Sequence, residues 1–208
     1  IYKQTNIMIE PIFSAWIFQT NIKDVNFVNN TIYKKIEKHF NDETYYTNSW
    51  KNCNVWTTFN NNNDFQKELQ ICFDLITAPA ESISQKLGYD LGSLKREGWF
   101  NAYRGTHWQE YHHHLPAILS GVYFVSFNKD VHGNFIIKNP HDHWRIAMLG
   151  NPKVNLEKVS DPLYKAEFTP NIQQSDLIIF PAGLEHRVGL KNQTDNKLRI
   201  TFSFNFFS

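Results

Sequence analysis

His112 and His114 lie two residues apart in the run QEYHHHLP, within a segment over 109–114 whose pattern predicts a strand. Side chains alternate across a strand, so these two imidazoles point to one face and His113 to the other. Two imidazoles one strand-repeat apart can reach a single ion at about 2.0–2.1 Å. A third from a neighbouring strand completes a facial set and leaves coordination positions open. The best third candidate is His186, which follows the strand-like DLIIF and the turn PAG. Three histidines also fit an ordinary surface cluster, and spacing alone leaves both readings open. A bulge within the triplet would shift the ligand assignment by one residue. Glu110 falls on the alternation face of His112 and His114, where it would steady an imidazole. Asp142, in PHDHW, is a further carboxylate that the sequence does not place.

The closing segment LRITFSFNF has two faces. Leu198, Ile200, Phe202, Phe204 and Phe206 share one, and Arg199, Thr201, Ser203 and Asn205 share the other. The apolar face belongs against helices or a second sheet. The polar face fits either solvent or an inward-facing site, and on this strand alone the two weigh evenly.

These residues need elements to hold them, and the sequence changes character near residue 98. Before it, Val28, Ile32, Ile36 and Phe40 recur at helical spacing. A second helix runs from about Asp64, read as its N-cap, through Phe65, Leu69, Cys72, Phe73 and Ile76. Pro79 interrupts it, and a further turn or two ends near Gly88. Residues 60–63 form an Asn-rich loop. From Trp99 onward the period is two, with candidate strands at 98–104, 109–114, 119–127, 133–138, 144–149, 164–169, 176–180, 185–190 and 197–206. Many short strands with brief turns indicate a β-sandwich or barrel, with the leading helices packed on one sheet. The expectation is a single domain over 1–208, with a helical support region over about 1–97 and a β core over about 98–208.

A chain of 208 residues with 41% hydrophobic and 15% aromatic side chains folds around a real core. Its 21 basic and 20 acidic residues leave a net charge of +1, which gives no electrostatic case for nucleic acid or an anionic membrane. Cys53 and Cys72 are too few for a disulfide framework or a four-cysteine zinc site. No stretch approaches the roughly 20 apolar residues of a membrane span, and the first residues lack the form of a signal peptide. The expected setting is cytoplasmic. An exposed sheet edge leaves a homodimer open.

The stretches WFNAYRGTHWQEYHHHLPAILSGVYFV, DLIIFPAGLEHRV and LRITFSFNF, taken in order, resemble the iron(II)/2-oxoglutarate oxygenases of marine bacteria and their phages. That group is similar to prolyl-4-hydroxylase-type enzymes, built on a double-stranded β-helix, or jelly roll. The shared pieces are Trp99 and Asn101, His112 and His114, Ser120 to Phe124, Asp176 to Pro181 with His186, and Arg199 with Thr201. The resemblance implies that His112, His114 and His186 bind Fe(II) and act in catalysis. It implies that Arg199 holds the distal carboxylate of 2-oxoglutarate through a bidentate pair, with Thr201 beside it. Asn101, Tyr103 and Tyr123 are further candidates to reach cosubstrate or substrate, each with a structural role as the alternative. The implied activity is hydroxylation of a small-molecule or peptide substrate.

The resemblance has one departure. Such sites usually use two histidines and a carboxylate, and here the middle position is His114, which leaves the site one unit more positive. All-histidine triads occur in cupin-type dioxygenases that do not use 2-oxoglutarate, and that reading stands as the alternative, with a non-enzymatic β-sandwich behind it. His141 and His143 read as a loop pair at the surface or against substrate. His107 and His132 read as turn residues.

Overall fold

The computed structural model describes residues 15–45, 55–88, 90–142, 165–191 and 196–208. The two-faced closing segment is strand β10 (Arg199–Phe207), and it lies inside a six-stranded antiparallel sheet. It pairs on one side with β3 (Lys95–Tyr103) and on the other with β5 (Leu119–Ser126). Beyond β5 come β8 (Asp176–Pro181) and β1 (Phe18–Asn21), and beyond β3 comes β2 (Trp56–Thr57). A smaller four-stranded sheet has the order β4 (Gln109–His112), β9 (His186–Val188), β6 (Phe135–Lys138) and β7 (Glu167–Phe168). From β3 onward the chain passes back and forth between the two sheets, which winds the double-stranded β-helix.

Two layers of apolar packing flank the larger sheet. On its outer face, Ile200, Phe202, Phe204 and Phe206 meet Ile32 and Ile36 of helix α1 (Asn26–His39) and Cys72, Phe73 and Ile76 of helix α2 (Gln66–Leu87). Phe202 and Phe204 are fully buried, each worth about 1.5–3 kcal/mol against exposure. Close approach depends on Gly98: a Cβ there would stand 2.6 Å from Phe202 Cε2 and 2.8 Å from Phe73 Cζ. Between the sheets, Val122, Phe124, Ile178 and Phe180 pack on Phe135 and Ile137. This second layer fills one part of the interior and leaves the rest to polar side chains.

The N-terminal half contributes more than helices. β1 and β2 extend the large sheet at its two edges, and strands of four and two residues carry too little alternation to be read from sequence. Helix α2 also runs unbroken through Pro79, where the sequence suggests an interruption. Ile76, Ala80 and Ile83 remain buried on one face across the proline, so packing on the sheet outweighs one lost backbone hydrogen bond. Its left-handed end, Gly88 at φ 77°, falls where expected. Asp64 is not the N-cap. It lies in a short 3₁₀ turn and accepts the Tyr45 hydroxyl at 2.8 Å. No helix among the described residues is long and apolar enough to cross a membrane. The candidate strand at 144–149, His143 and Cys53 lie outside the described residues.

Candidate metal centre

β4 and β9 are antiparallel neighbours, and their register sets His112 directly opposite His186. His114 follows two residues after β4, tied back by its N–H to the Ala182 carbonyl at 2.9 Å. The ring centroids are separated by 4.4 Å for His112 and His186, 5.0 Å for His112 and His114, and 5.1 Å for His114 and His186. One ring nitrogen from each lies within 4.8 Å of the others. Three nitrogens at that spacing can converge on one ion at about 2.0–2.1 Å after small rotations.

Hydrogen bonds decide which nitrogens face the centre. His112 Nδ1 is 2.8 Å from the Glu110 carbonyl, and His186 Nδ1 is 2.9 Å from the Leu184 carbonyl. A carbonyl only accepts, so both Nδ1 atoms carry the proton and both Nε2 atoms keep a lone pair. Burial keeps the rings neutral. Desolvation pushes His186 well below the ordinary imidazole value, with His112 and His114 adding to the effect. His114 is pushed down to about 3, by desolvation first and then by His112 and His113. His112 is lowered by desolvation as well, although the Glu110 carbonyl opposes the shift. Three neutral imidazoles, two of them with lone pairs fixed toward the centre, can bind a cation.

The sequence alternation misplaces one neighbour. Gln109 pairs with Val188 and His112 with His186, three steps on one strand against two on the other, so a bulge lies between them. The bulge turns Gln109 into the cavity, whose lining includes Gln109 but not Glu110. Glu110 therefore holds His112 by a hydrogen bond through its backbone carbonyl, and its carboxylate acts on the ring only through its charge. Gln109 is the site residue that sequence reasoning misses, since no residue type marks a one-residue bulge in advance.

Across the cavity stands the polar face of β10, buried rather than solvated. Three cross-strand rungs face inward: Arg199 with Tyr103, Thr201 with Asn101, and Ser203 with Trp99. Arg199 is 1% exposed, and its Nε and Nη1 have no hydrogen-bond partner among the described residues. Its guanidinium lies 4.7 Å from the Tyr103 ring centroid, 5.4 Å from Phe124 and 5.8 Å from Phe127. Desolvation pulls Arg199 down to about 10, partly offset by Tyr103, so it remains a cation at neutral pH. No Asp or Glu is among the described residues that line the cavity. Aromatic faces return about 0.5–2 kcal/mol each, against a desolvation cost of several kcal/mol for a buried charge. Such an arrangement awaits an anion. Asn101 Oδ1 and Trp99 Nε1 are also buried without partners among the described residues, while Asn101 Nδ2 donates to Ser203 Oγ at 3.2 Å.

Tyr123 does not belong to the site. It sits between the inward-facing Val122 and Phe124 and therefore projects to the helix side of the sheet. There its hydroxyl donates to Asn29 Oδ1 at 2.8 Å, and Asn29 Nδ2 donates to Ser175 Oγ at 3.0 Å. The triad pins α1 to the sheet. Among the other candidates, His113 is exposed and accepts the Leu115 N–H at 3.3 Å. His141 is exposed in a turn, where its N–H donates to Asn139 Oδ1. Asp142 acts on the Lys138 ammonium rather than on the three histidines. His132 is a buried lock, accepting the Asn128 N–H and donating to the Lys197 carbonyl. His107 stacks on Phe40. Cys72 is buried, and burial pushes its thiol up and out of reactive range.

The sequence family described as "Putative 2OG-Fe(II) oxygenase" matches residues 97–205. No curated protein sequence matches the chain. Solved structures do. A Pseudomonas putida prolyl-4-hydroxylase is similar with a TM-score of 0.58 at 12% identity, covering 93% of each chain. HygX from Streptomyces hygroscopicus, solved with nickel and 2-oxoglutarate bound, has a TM-score of 0.58 at 10% identity over 93% of this chain and 83% of its own. AviO1 from Streptomyces viridochromogenes has a TM-score of 0.60 at 9% identity over 93% and 90%. At these identities the likeness is one of fold.

Proposed function

Since the chain belongs to the 2OG-Fe(II) oxygenase family, we propose that His112, His114 and His186 hold the iron, that Arg199 and Thr201 hold 2-oxoglutarate, and that the reaction hydroxylates a substrate carbon. The protein is an iron(II)- and 2-oxoglutarate-dependent oxygenase. The observation that carries the residue assignment is Arg199, a buried guanidinium with two nitrogens unpartnered among the described residues, on the wall of a cavity that also exposes three imidazoles. A cupin-type dioxygenase working without 2-oxoglutarate would need that cation only if its own substrate were an anion.

When bound, iron(II) and 2-oxoglutarate would supply, with dioxygen as the four-electron oxidant, oxidative decarboxylation of the cosubstrate to succinate and carbon dioxide coupled to hydroxylation of a substrate C–H bond. The chain's own residues bind and orient. Arg199 presents a planar fork that suits a carboxylate, and Thr201, one rung along, adds a hydroxyl. Tyr103 packs its ring against the guanidinium and limits its freedom. His112 and His186, held by carbonyls two residues upstream, keep their lone pairs inward without reorganisation. Val122, Phe135 and Val188 exclude water from the same wall. The balance of charge and the pair of cysteines support a cytoplasmic setting; the substrate is a small molecule or a peptide.

The test is incubation with Fe(II), 2-oxoglutarate and oxygen, following succinate, alongside calorimetric titration of 2-oxoglutarate into Ni(II)-loaded protein. Succinate release and Arg199-dependent binding are expected. Metal uptake that needs all three histidines, together with 2-oxoglutarate binding indifferent to Arg199→Met, would remove the cosubstrate assignment.

A further inference from the structure

His112 stands in a chain of hydrogen bonds that runs in one direction. Its Nδ1–H goes to the Glu110 carbonyl, so Nε2 offers a lone pair. Gln109 approaches that lone pair with its side-chain nitrogen, at a long 3.4 Å. The amide oxygen at the other end accepts the Tyr103 hydroxyl at 2.8 Å in a buried contact. An amide turned the other way would set its oxygen against the His112 lone pair, acceptor against acceptor. The chain therefore holds the amide –NH₂ toward the three histidines. Gln109 is 5% exposed and lines the cavity, and the bulge after it is what turns it there.

An ion on His112 takes the lone pair that this amide faces. The amide N–H is then left beside the ion with a proton to share, and the atoms that can receive it are oxygens bound to that ion. We propose that Gln109 donates its side-chain N–H to the oxygen ligand next to His112, a carboxylate or keto oxygen of 2-oxoglutarate, and that Tyr103 sets the amide for this task. The proposal rests on the three-histidine reading of the metal site. Tyr103 then serves both ends of the cosubstrate: its hydroxyl orients Gln109 at the metal, and its ring lies against Arg199 at the distal carboxylate. Gln109 is a positioning residue, neutral at every pH, which adds a hydrogen bond without changing the charge of the site.

The experiment uses the full chain loaded with Co(II), whose visible spectrum reports coordination, and measures Co(II) affinity and 2-oxoglutarate affinity separately. Gln109→Met keeps the side-chain volume and removes the donor. It should leave Co(II) affinity within about twofold and weaken 2-oxoglutarate by about tenfold or more, the scale of one hydrogen bond to a charged acceptor. Tyr103→Phe should weaken 2-oxoglutarate in the same direction, because the amide is then free to turn. Gln109→Glu should tighten Co(II), change its spectrum and weaken 2-oxoglutarate further. Unchanged 2-oxoglutarate affinity in Gln109→Met overturns the proposal. So does loss of Co(II) in that variant, which would make Gln109 a ligand. Wild-type protein that takes up Co(II) no better than His112→Ala would instead overturn the three-histidine reading beneath it.

Discussion

His112 and His186 are Cα partners across the β4–β9 ladder, and their ring centroids are 4.4 Å apart. Two imidazoles in that contact, His186 buried and His112 half-buried, resist protonation in the folded chain. Each has its value pushed below the ordinary 6.5, as does His114, at about 3. The unfolded chain therefore binds more protons than the folded one between these values and 6.5, and stability rises with pH across that window. The contribution is fully present above pH 6.5 and is lost as pH falls toward 3. Metal-free protein should show a falling Tm from about pH 6 downward, and His114→Asn should flatten the curve. An equally steep curve in that variant would assign the acid sensitivity elsewhere.

Arg199→Met should separate stability from binding. The change removes a buried cation that has no carboxylate partner among the described residues, so the ligand-free protein should be as stable as wild type, or more so by about 1–4 kcal/mol. The rise in Tm that 2-oxoglutarate gives the metal-loaded wild type should vanish. Arg199→Lys keeps the charge and loses the fork, and its 2-oxoglutarate affinity should drop by about tenfold. Binding by the lysine variant as tight as wild type would show that charge alone is recognised.

His114→Asp should keep the metal and alter the anion. The substitution restores a carboxylate at the middle position and lowers the charge of the site by one. Co(II) affinity should hold or rise, while 2-oxoglutarate affinity should fall by about fivefold or more through repulsion in a water-poor site. Calorimetry on both proteins checks it; tighter 2-oxoglutarate binding in the variant would contradict the charge argument.

Tyr123→Phe should act on stability alone. Its hydroxyl reaches Asn29 on the helix side of the sheet, and losing that buried bond should cost about 1–3 kcal/mol. Denaturant melts should register the loss, with 2-oxoglutarate affinity unchanged. A tenfold loss of affinity would return Tyr123 to the site.

The period-two strands were legible because a strand with one greasy face advertises it, and LRITFSFNF does so over nine residues. The three clustered histidines are legible in part, as His112 and His114 differ by two positions. Pairing was not. Nothing local states that β9 lies beside β4, and the family motifs rather than the spacing pointed to His186. Tyr123 and Val122 illustrate the remaining gap: adjacent letters in SGVYF face opposite ways, and motif membership does not say which. Gln109 was hidden by a bulge whose cause lies in pairing across strands. Pro79 suggests a break because helix propensity is local, whereas the burial of Ile76 and Ala80 is not.

β10 has no solvent face. One side is packed by Phe202 and Phe204 against the helices, the other carries Arg199 and Thr201 into the cavity. A shift of a single position along its neighbours would drive the guanidinium among phenyl rings and present those rings to the cavity. Packing and the wall of the cavity are thus inherited together on this strand. Exchange of one residue type for another can be tried there gradually over generations, but insertion or deletion of one codon within 199–207 forfeits both at once.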